Sequence, residues 1–166
     1  MSAELAIYPG SFDPPTLGHL DIIERGSRVF PRVLVAVLRN TDKQAWFSVE
    51  ERVAMLREIT AKLPGVEVSD FDGLLVDFAQ RRGASAILRG IRAISDYEYE
   101  YQMAWMNRRM APAVETVFLM PAEAHAYLSS RLVKEVASGG RSVAGLVAPP
   151  IEARLRAKLA QRGVAP

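Results

Sequence analysis

The run Val33–Leu38 constrains the fold of this chain more than any other feature of the sequence. All of its residues are apolar, whereas a strand with one face in water alternates apolar and polar residues. An unbroken apolar run of this kind is typical of a strand that is covered on both faces in a parallel sheet. Such a sheet needs helices on both sides, so the run predicts an α/β fold.

Other strand and helix patterns alternate with this run along the chain. Further strands are predicted at Leu5–Tyr8, Val66–Val68, Ala86–Leu88 and Thr116–Leu119. Helices are predicted to begin near residues 18, 48, 74, 95, 129 and 150, and Ser48–Glu51 and Ser95–Glu98 read as capping boxes. The alternation predicts a Rossmann-like, doubly wound parallel sheet of five strands with flanking helices.

The chain is expected to form one domain that spans residues 1–166, with a C-terminal helical segment from about residue 129. A length of 166 residues is typical of one domain and is enough to bury a substantial core. The sequence shows no internal repeat, no low-complexity segment and no linker that would divide it.

The amino-acid composition excludes several kinds of functional site and binding partner. The chain has no cysteine, which excludes a disulfide framework, a thiolate zinc site and a cysteine nucleophile. The N-terminus lacks a basic segment followed by a long apolar run, so we expect no signal peptide, no membrane partner and a cytoplasmic location. A net charge of +2 is too small to indicate nucleic acid as a partner.

In sheets of this kind, ligands bind at the carboxyl ends of the strands. This rule selects the segments Pro9–His19, Arg39–Lys43, Phe71–Leu75, Arg89–Arg92 and Met120–Ser130. Their polar and basic side chains are therefore the candidate functional residues.

The segment Tyr8–His19 carries the most specific pattern among them. Gly10 permits a close approach of the backbone to a ligand. His19 falls in the first turn of a helix, where unpaired backbone N–H groups favour a phosphate and an imidazole can donate to it. The order Thr-x-Gly-His, a few residues after Gly-Ser-Phe-Asp-Pro, resembles the signature of the nucleotidylyltransferase superfamily.

Further blocks resemble one family of that superfamily, the bacterial phosphopantetheine adenylyltransferases, from Leu5 to about Leu146. The similar blocks are Tyr8–Pro14, Thr16–His19, Phe47–Arg52, Arg89–Arg92, Asp96–Glu100, Met106–Asn107 and Ser129–Val136. The resemblance implies reversible transfer of an adenylyl group from ATP to 4′-phosphopantetheine, which gives dephospho-coenzyme A and pyrophosphate in the penultimate step of coenzyme A biosynthesis. It also implies the use of Mg²⁺ and a homohexamer.

The resemblance assigns roles residue by residue. His19 is implied to stabilise the transition state at the α-phosphate, and no residue is implied as a metal ligand. The implied ATP-binding residues are Ser11, Phe12, His19, Gly90, Ile91, Arg92, Glu100, His125, Ala126, Tyr127, Leu128, Ser129, Ser130 and Arg131. The implied phosphopantetheine-binding residues are Ser11, Lys43, Leu75 and Arg89. The sequence departs from the family at Arg131, where a third Ser or Thr is often found.

The chemistry of the implied reaction agrees with these residue types. A phosphate monoester has a second pKa of about 6, so it is largely dianionic at neutral pH and needs no general base. The obstacle is repulsion between this phosphate and the triphosphate, which hydrogen-bond donors and cations can reduce. His19 is therefore predicted to act as a donor to the α-phosphate, not as a base.

Three alternatives remain open. The first is adenylyl or cytidylyl transfer to another phosphate, such as a nicotinate or nicotinamide mononucleotide, which only the resemblance around Arg89 and Asp96 disfavours. The second is an aminoacyl-tRNA synthetase, which has a related Gly-His motif, but this chain is short for a tRNA-binding domain. The third is a nucleotide-binding regulator without turnover, which the joint presence of His19, Lys43 and Arg92 disfavours.

Overall fold

The computed structural model describes residues 4–39 and 45–162. Its centre is a five-stranded sheet in the order β3-β2-β1-β4-β5, and every neighbouring pair of strands is parallel. The strands are β1 (Leu5–Gly10), β2 (Arg32–Leu38), β3 (Val66–Phe71), β4 (Ala86–Gly90) and β5 (Glu115–Leu119). The predicted fold class is confirmed.

Helices follow each strand, as expected for parallel connections. They are α1 (Leu17–Val29), α2 (Val49–Thr60), α3 (Leu75–Arg81), α4 (Ile94–Met110), α5 (Ser130–Ser138) and α6 (Pro149–Gln161), with a 3-10 turn at Glu123–His125. The capping box at Ser48 is confirmed. The second predicted capping box is wrong, because α4 already begins at Ile94 with Ala93 as its N-cap and no side-chain cap.

Both faces of the central strands are buried, as the apolar run in β2 predicts. Residues 33–37 of β2 are at most 1% exposed. On one face they pack with apolar side chains of α1 and α2, which include Ile22, Ile23, Val53 and Leu56. On the other face they pack with α3, through Val76, Phe78 and Ala79. A further cluster joins α2 to α5 and α6 through Met55, Val133, Ile151 and Leu155.

The sheet topology places a crevice at the carboxyl ends of β1 and β4. The chain runs outward from β1 to β2 and β3 on one side, and then returns to β4 and β5 on the other. Ligands of open parallel sheets bind at such a switch point. Among the described helices, none has both the length and the apolar character that crossing a bilayer requires.

Candidate active site

A cavity of about 410 Å³ opens at the carboxyl ends of β1 and β4. Its walls come from the loop after β1, the first turn of α1, the end of β4, α4, and the segment before α5. It brings together the predicted residues Ser11, Phe12, His19, Arg89, Gly90, Arg92, Glu100, His125, Leu128, Ser129 and Ser130. The strand-end rule therefore located residues that lie far apart in the sequence.

Other predicted residues are placed differently. Ile91, Ala126 and Tyr127 are next to lining residues in the sequence but do not line this cavity. Arg131 is turned away from it, because its Nε donates to Glu135 at 2.9 Å and its side chain is 88% exposed. Lys43 lies outside the described residues.

Leu75 lines a second cavity of about 110 Å³. Arg89, Tyr99 and Glu100 line both cavities, so the second one adjoins the first on the Arg89 side. Its remaining wall includes Met103 and is largely apolar. This arrangement offers an extended and partly apolar ligand a path away from the main cavity.

Hydrogen bonds to Thr16 fix the orientation and tautomer of His19. Thr16 is the N-cap of α1, and its side chain accepts from the backbone N–H of His19 at 3.3 Å. In return, the backbone N–H of Thr16 donates to Nδ1 of His19 at 3.0 Å. A backbone N–H can only donate, so Nδ1 is the acceptor and the proton of the neutral ring lies on Nε2. The ring thus has one free donor, Nε2–H, at a residue that lines the cavity.

The surroundings of His19 keep its ring uncharged. Burial, and in second place the nearby Arg92 guanidinium, lower the pKa of His19 to about 4. A neutral imidazole cannot serve as a cation at neutral pH. The geometry therefore suits a hydrogen-bond donor to a phosphate oxygen.

We expect an NMR titration to give a midpoint near pH 4 for the His19 imidazole of the folded protein. The chain has two histidines, so the variant His125→Asn leaves a single imidazole signal to follow. Because the folded pKa lies below the ordinary value of 6.5, the unfolded chain binds more protons between these pH values. This group therefore destabilises the fold progressively as the pH falls from 6.5 towards 4. A midpoint at 6.5 would contradict the described environment.

Phe12 supports the other side of the His19 ring. The two rings meet edge to face, with centroids 5.0 Å apart, and Phe12 is 2% exposed. Phe12 adopts a φ of 50°, in the left-handed region that a non-glycine residue seldom occupies. A side chain at Gly10 would place its Cβ 2.9 Å from the Phe12 ring, so this position requires glycine. The packing from Gly10 through Phe12 thus sets the position of His19.

Arg89 and Glu100 form an ion pair in the cavity wall. Nε of Arg89 donates to Oε2 of Glu100 at 2.6 Å, and Nη2 donates to Oε1 of the same carboxylate. Burial lowers the pKa of Arg89, but the bonds to Glu100 outweigh this effect and leave the pKa above its usual value. Arg89 is therefore a permanent cation, and Glu100 determines its orientation.

Arg92 connects the end of β4 to the segment before α5. Its Nη1 donates to the carbonyl of Leu128 at 2.8 Å, and its Nε donates to Asp96 at 3.1 Å. Ser129 caps α5, because its hydroxyl oxygen accepts from the N–H of Leu132 at 3.1 Å. The Ser130 hydroxyl donates to the carbonyl of Pro14 at 2.8 Å. The N-terminus of α5 is thereby held against the loop after β1.

Asp13 and Lys134 form an ion pair behind this loop that no sequence pattern indicated. Asp13 is 6% exposed, and its carboxylate accepts from Lys134 Nζ at 2.9 Å. It also accepts from the backbone N–H groups of Trp46 and Phe47, at 3.0 and 2.9 Å. Both charged residues lie inside blocks that resemble the family. Their membership of these blocks is the sequence feature that could have indicated a role for them. Their pairing ties the loop to α5 and to the segment before α2.

Comparisons with known proteins identify the family to which the chain is similar. Residues 7–136 match the profile of the cytidylyltransferase-like family. The chain is 51% identical over 154 residues to a phosphopantetheine adenylyltransferase of Caldanaerobacter subterraneus subsp. tengcongensis, in a match that covers 93% of this chain and 96% of that relative.

The fold is also similar to a solved structure. This is the crystal structure of a Vibrio parahaemolyticus protein assigned as a nicotinate-nucleotide adenylyltransferase, with a TM-score of 0.69. The match covers 97% of this chain and 94% of that chain at 16% sequence identity. At that identity the likeness bears on the fold alone.

Proposed function

This chain belongs to the phosphopantetheine adenylyltransferase family of cytidylyltransferase-like proteins, and we propose that it transfers the adenylyl group of ATP to 4′-phosphopantetheine. The products are dephospho-coenzyme A and pyrophosphate, and the reaction is reversible. The observation that carries the proposal is the identity of 51% to a named family member over nearly the whole length of both chains.

His19 acts in this proposal as a neutral donor at the α-phosphate. Negative charge on the oxygens of that group is redistributed as the acceptor phosphate attacks, and a donor held in place before the reaction stabilises it most. The bonds between Thr16 and His19 supply that preorganisation, because they fix the Nε2–H tautomer. The acceptor phosphate is already ionised, so no residue has to remove a proton.

Cations and a helix terminus hold the remaining phosphates. Arg92 lies in the cavity wall next to the N-terminus of α5, where Ser129 and Ser130 also line the cavity. Unpaired N–H groups of a helix N-terminus bind anions, so this end of the cavity suits the β- and γ-phosphates. The residues assigned to ATP and brought together in the cavity support this placement.

The second cavity suits the pantetheine arm. Arg89 stands where the two cavities meet, and Leu75 lines the apolar end. An arm that carries a phosphate at one end and alkyl groups along its length matches this change from charged to apolar walls. Lys43 is assigned to the acceptor phosphate by the family resemblance, at a position outside the described residues.

Mg²⁺ is expected to arrive with the substrate. Within residues 4–39 and 45–162, no group of three or more His, Asp or Glu side chains is arranged to hold a metal ion. Hard cations of this type are often bound by substrate phosphates and only one or two protein groups. We propose that Mg²⁺ binds the ATP phosphates in the cavity and reduces their charge.

Self-association to a homohexamer is proposed from the family, and helix α4 supports it. Tyr97, Tyr101 and Trp105 recur every four residues on one face of α4, with neighbouring rings in contact, and are 45%, 46% and 55% exposed. An exposed row of large aromatic side chains is typical of a protein interface. Sedimentation equilibrium would measure the mass of the assembly.

The cytoplasmic location stays a prediction.

The experiment that tests the function is a panel of acceptors. Pyrophosphate release is measured with ATP and 4′-phosphopantetheine, nicotinate mononucleotide or nicotinamide mononucleotide, each with Mg²⁺ and with excess EDTA. We expect turnover with 4′-phosphopantetheine alone, and its loss in EDTA. Turnover with a mononucleotide would support the alternative acceptor, and ATP binding without turnover on any acceptor would indicate a regulator.

Replacement of Lys43 with Ala tests the assignment of the acceptor phosphate. A lysine ammonium acts on a phosphate as a mobile point charge. Its loss should raise the KM for 4′-phosphopantetheine more than the KM for ATP, as measured by steady-state kinetics with each substrate varied in turn. An equal rise in both constants would count against the assignment.

A further inference from the structure

Arg52 lies behind the loop that follows β1, and the structure gives it a role that the family resemblance does not. We propose that Arg52 is a positioning residue for this loop: it holds the carbonyl of Ser11 so that the backbone N–H of Phe12 faces the cavity as a phosphate donor. The inference rests on the proposed function, because the phosphate is that of ATP or of the acceptor.

The first support is the burial and bonding of the guanidinium. Arg52 is 3% exposed, although arginine is rarely buried to this extent without a specific partner. Its Nη1 donates to the Ser11 carbonyl at 2.8 Å, and its Nε donates to the Ser48 carbonyl at 3.2 Å. Ser48 is the N-cap of α2. One side chain thus ties the loop after β1 to the start of a packed helix.

The second support is the location of Arg52 outside the cavity wall. Ser11 and Phe12 line the cavity, and Arg52 does not. The guanidinium therefore reaches the loop from behind and touches no ligand in the cavity. Arg52 can therefore affect the reaction only without direct contact, through the position of the loop or through its charge.

The third support is the geometry of the peptide between Ser11 and Phe12. This peptide is trans, since the one cis bond found in the described ranges is Asp13–Pro14. In a trans peptide the carbonyl and the N–H point in opposite directions. The carbonyl is held on the Arg52 side, so the Phe12 N–H points away from Arg52, at a residue that lines the cavity. Within residues 4–39 and 45–162 it has no hydrogen-bond acceptor.

The backbone conformation of Phe12 is consistent with such a constraint. A φ of 50° costs a non-glycine residue free energy and persists where neighbouring groups determine it. Arg52 fixes the peptide before Phe12, and the packing of the Phe12 ring fixes the side chain. The strained residue is thereby held with its N–H free for an anion.

Electrostatics adds to this geometry. The described residues place no carboxylate within ion-pair distance of Arg52. A buried cation without a carboxylate partner favours an anion nearby. A phosphate at the loop would gain from this charge without direct contact.

The test compares three variants by steady-state kinetics after folding is verified by thermal melting. Arg52→Met removes the charge and both hydrogen-bond donors of the guanidinium. Arg52→Lys keeps the charge but not the planar arrangement of donors. The control is Arg57→Met on the same helix, where Nη2 of the exposed Arg57 donates to the Val68 carbonyl at 3.3 Å. We expect Arg52→Met to lower kcat on the order of a hundredfold, as for a misplaced reacting group. Arg52→Lys should recover part of kcat, and Arg57→Met should match the wild type.

A spectroscopic readout separates positioning from a general structural role. In ¹⁵N-labelled protein, we expect the Phe12 amide resonance to shift when ATP is added to the wild type and to the Arg57→Met variant. We expect this shift to be lost in folded Arg52→Met. If Arg52→Met does not fold, Arg52→Lys and Arg52→Gln take its place in both measurements.

Several results would overturn the inference. One is an equal effect of the Arg52 and Arg57 substitutions on kcat. Another is a Phe12 amide that responds to ATP in the same way with and without the guanidinium, or that does not respond in the wild type. The NMR measurement needs ATP alone, so a wrong acceptor would appear as absent turnover of the wild type and not as a failed titration.

Discussion

Replacement of His19 with Ala is expected to lower kcat by on the order of a hundredfold or more, as for removal of one preorganised donor at a reacting oxyanion. The reason is specific to this site. The Nε2–H group is free, its tautomer is fixed by Thr16, and the ring is neutral because its pKa is lowered to about 4. Ala removes the donor but leaves Thr16 able to cap α1, so the fold should survive. Steady-state kinetics in both directions measures the loss.

His125 provides the matched control for this substitution. It is the other histidine of the chain and lines the same cavity, but its Nδ1 has no hydrogen-bond partner in the described part of the protein. In contrast to His19, no hydrogen bond within the described residues fixes the tautomer of this ring. His125→Ala should affect the KM for ATP more than kcat. Turnover by His19→Ala at the wild-type level would remove His19 from the mechanism.

Replacement of Asp13 with Ala is expected to reduce the free energy of unfolding by about 3 kcal/mol, in the range for a broken buried ion pair. The change leaves the Lys134 ammonium, which is 23% exposed, without its carboxylate. It also removes the acceptor of two backbone N–H groups, those of Trp46 and Phe47. Urea unfolding followed by circular dichroism measures the difference.

A second ion pair on α5 serves as the comparison. Arg131 and Glu135 are bonded at 2.9 Å but lie in solvent, where such pairs contribute little. Glu135→Ala should hardly change the unfolding midpoint. Lys134→Met introduced together with Asp13→Ala should recover part of the loss, because the partly buried ammonium that had lost its carboxylate is then absent. Similar losses for Asp13→Ala and Glu135→Ala would contradict the interpretation of the buried pair.

The sheet could be predicted from the sequence because its central strands have a strong pattern. Residues 33–37 are buried on both faces, and burial on both faces leaves an unbroken apolar run. Strand β3 was predicted to end at Val68 but continues to Phe71. This strand lies at the edge of the sheet and includes the polar residues Ser69 and Asp70. The apolar pattern in the sequence therefore ends before the backbone hydrogen bonds to β2 end.

Helix starts were harder to predict than strands. A Ser-x-x-Glu sequence can satisfy a helix N-terminus, but the chain can also begin the helix earlier, as it does by two residues at α4. At α4 the helix begins at Ile94, so the expected cap, Ser95, lies inside the first turn. At α2 the same pattern forms both reciprocal bonds, which are those between Ser48 and Glu51.

Some features of the candidate site could be predicted from the sequence, and others could not. Residues at strand ends meet in the cavity because parallel strands end at one edge of the sheet. Arg131 points outward and pairs with Glu135 one helical turn away, an orientation that a motif match does not consider. The pairing of Asp13 with Lys134 joins residues 121 positions apart, and no periodicity indicates such a contact.

The attachment of the loop after β1 also bears on the entropy of ligand binding. Asp13, Arg52 and Ser130 each fix this loop to a different helix or segment. The conformational entropy that a mobile phosphate-binding loop would lose on contact with its ligand is here lost when the chain folds. Binding of ATP to this part of the site should then resemble association with a rigid surface. The stability of the core and the affinity for nucleotide thus depend on the same buried contacts.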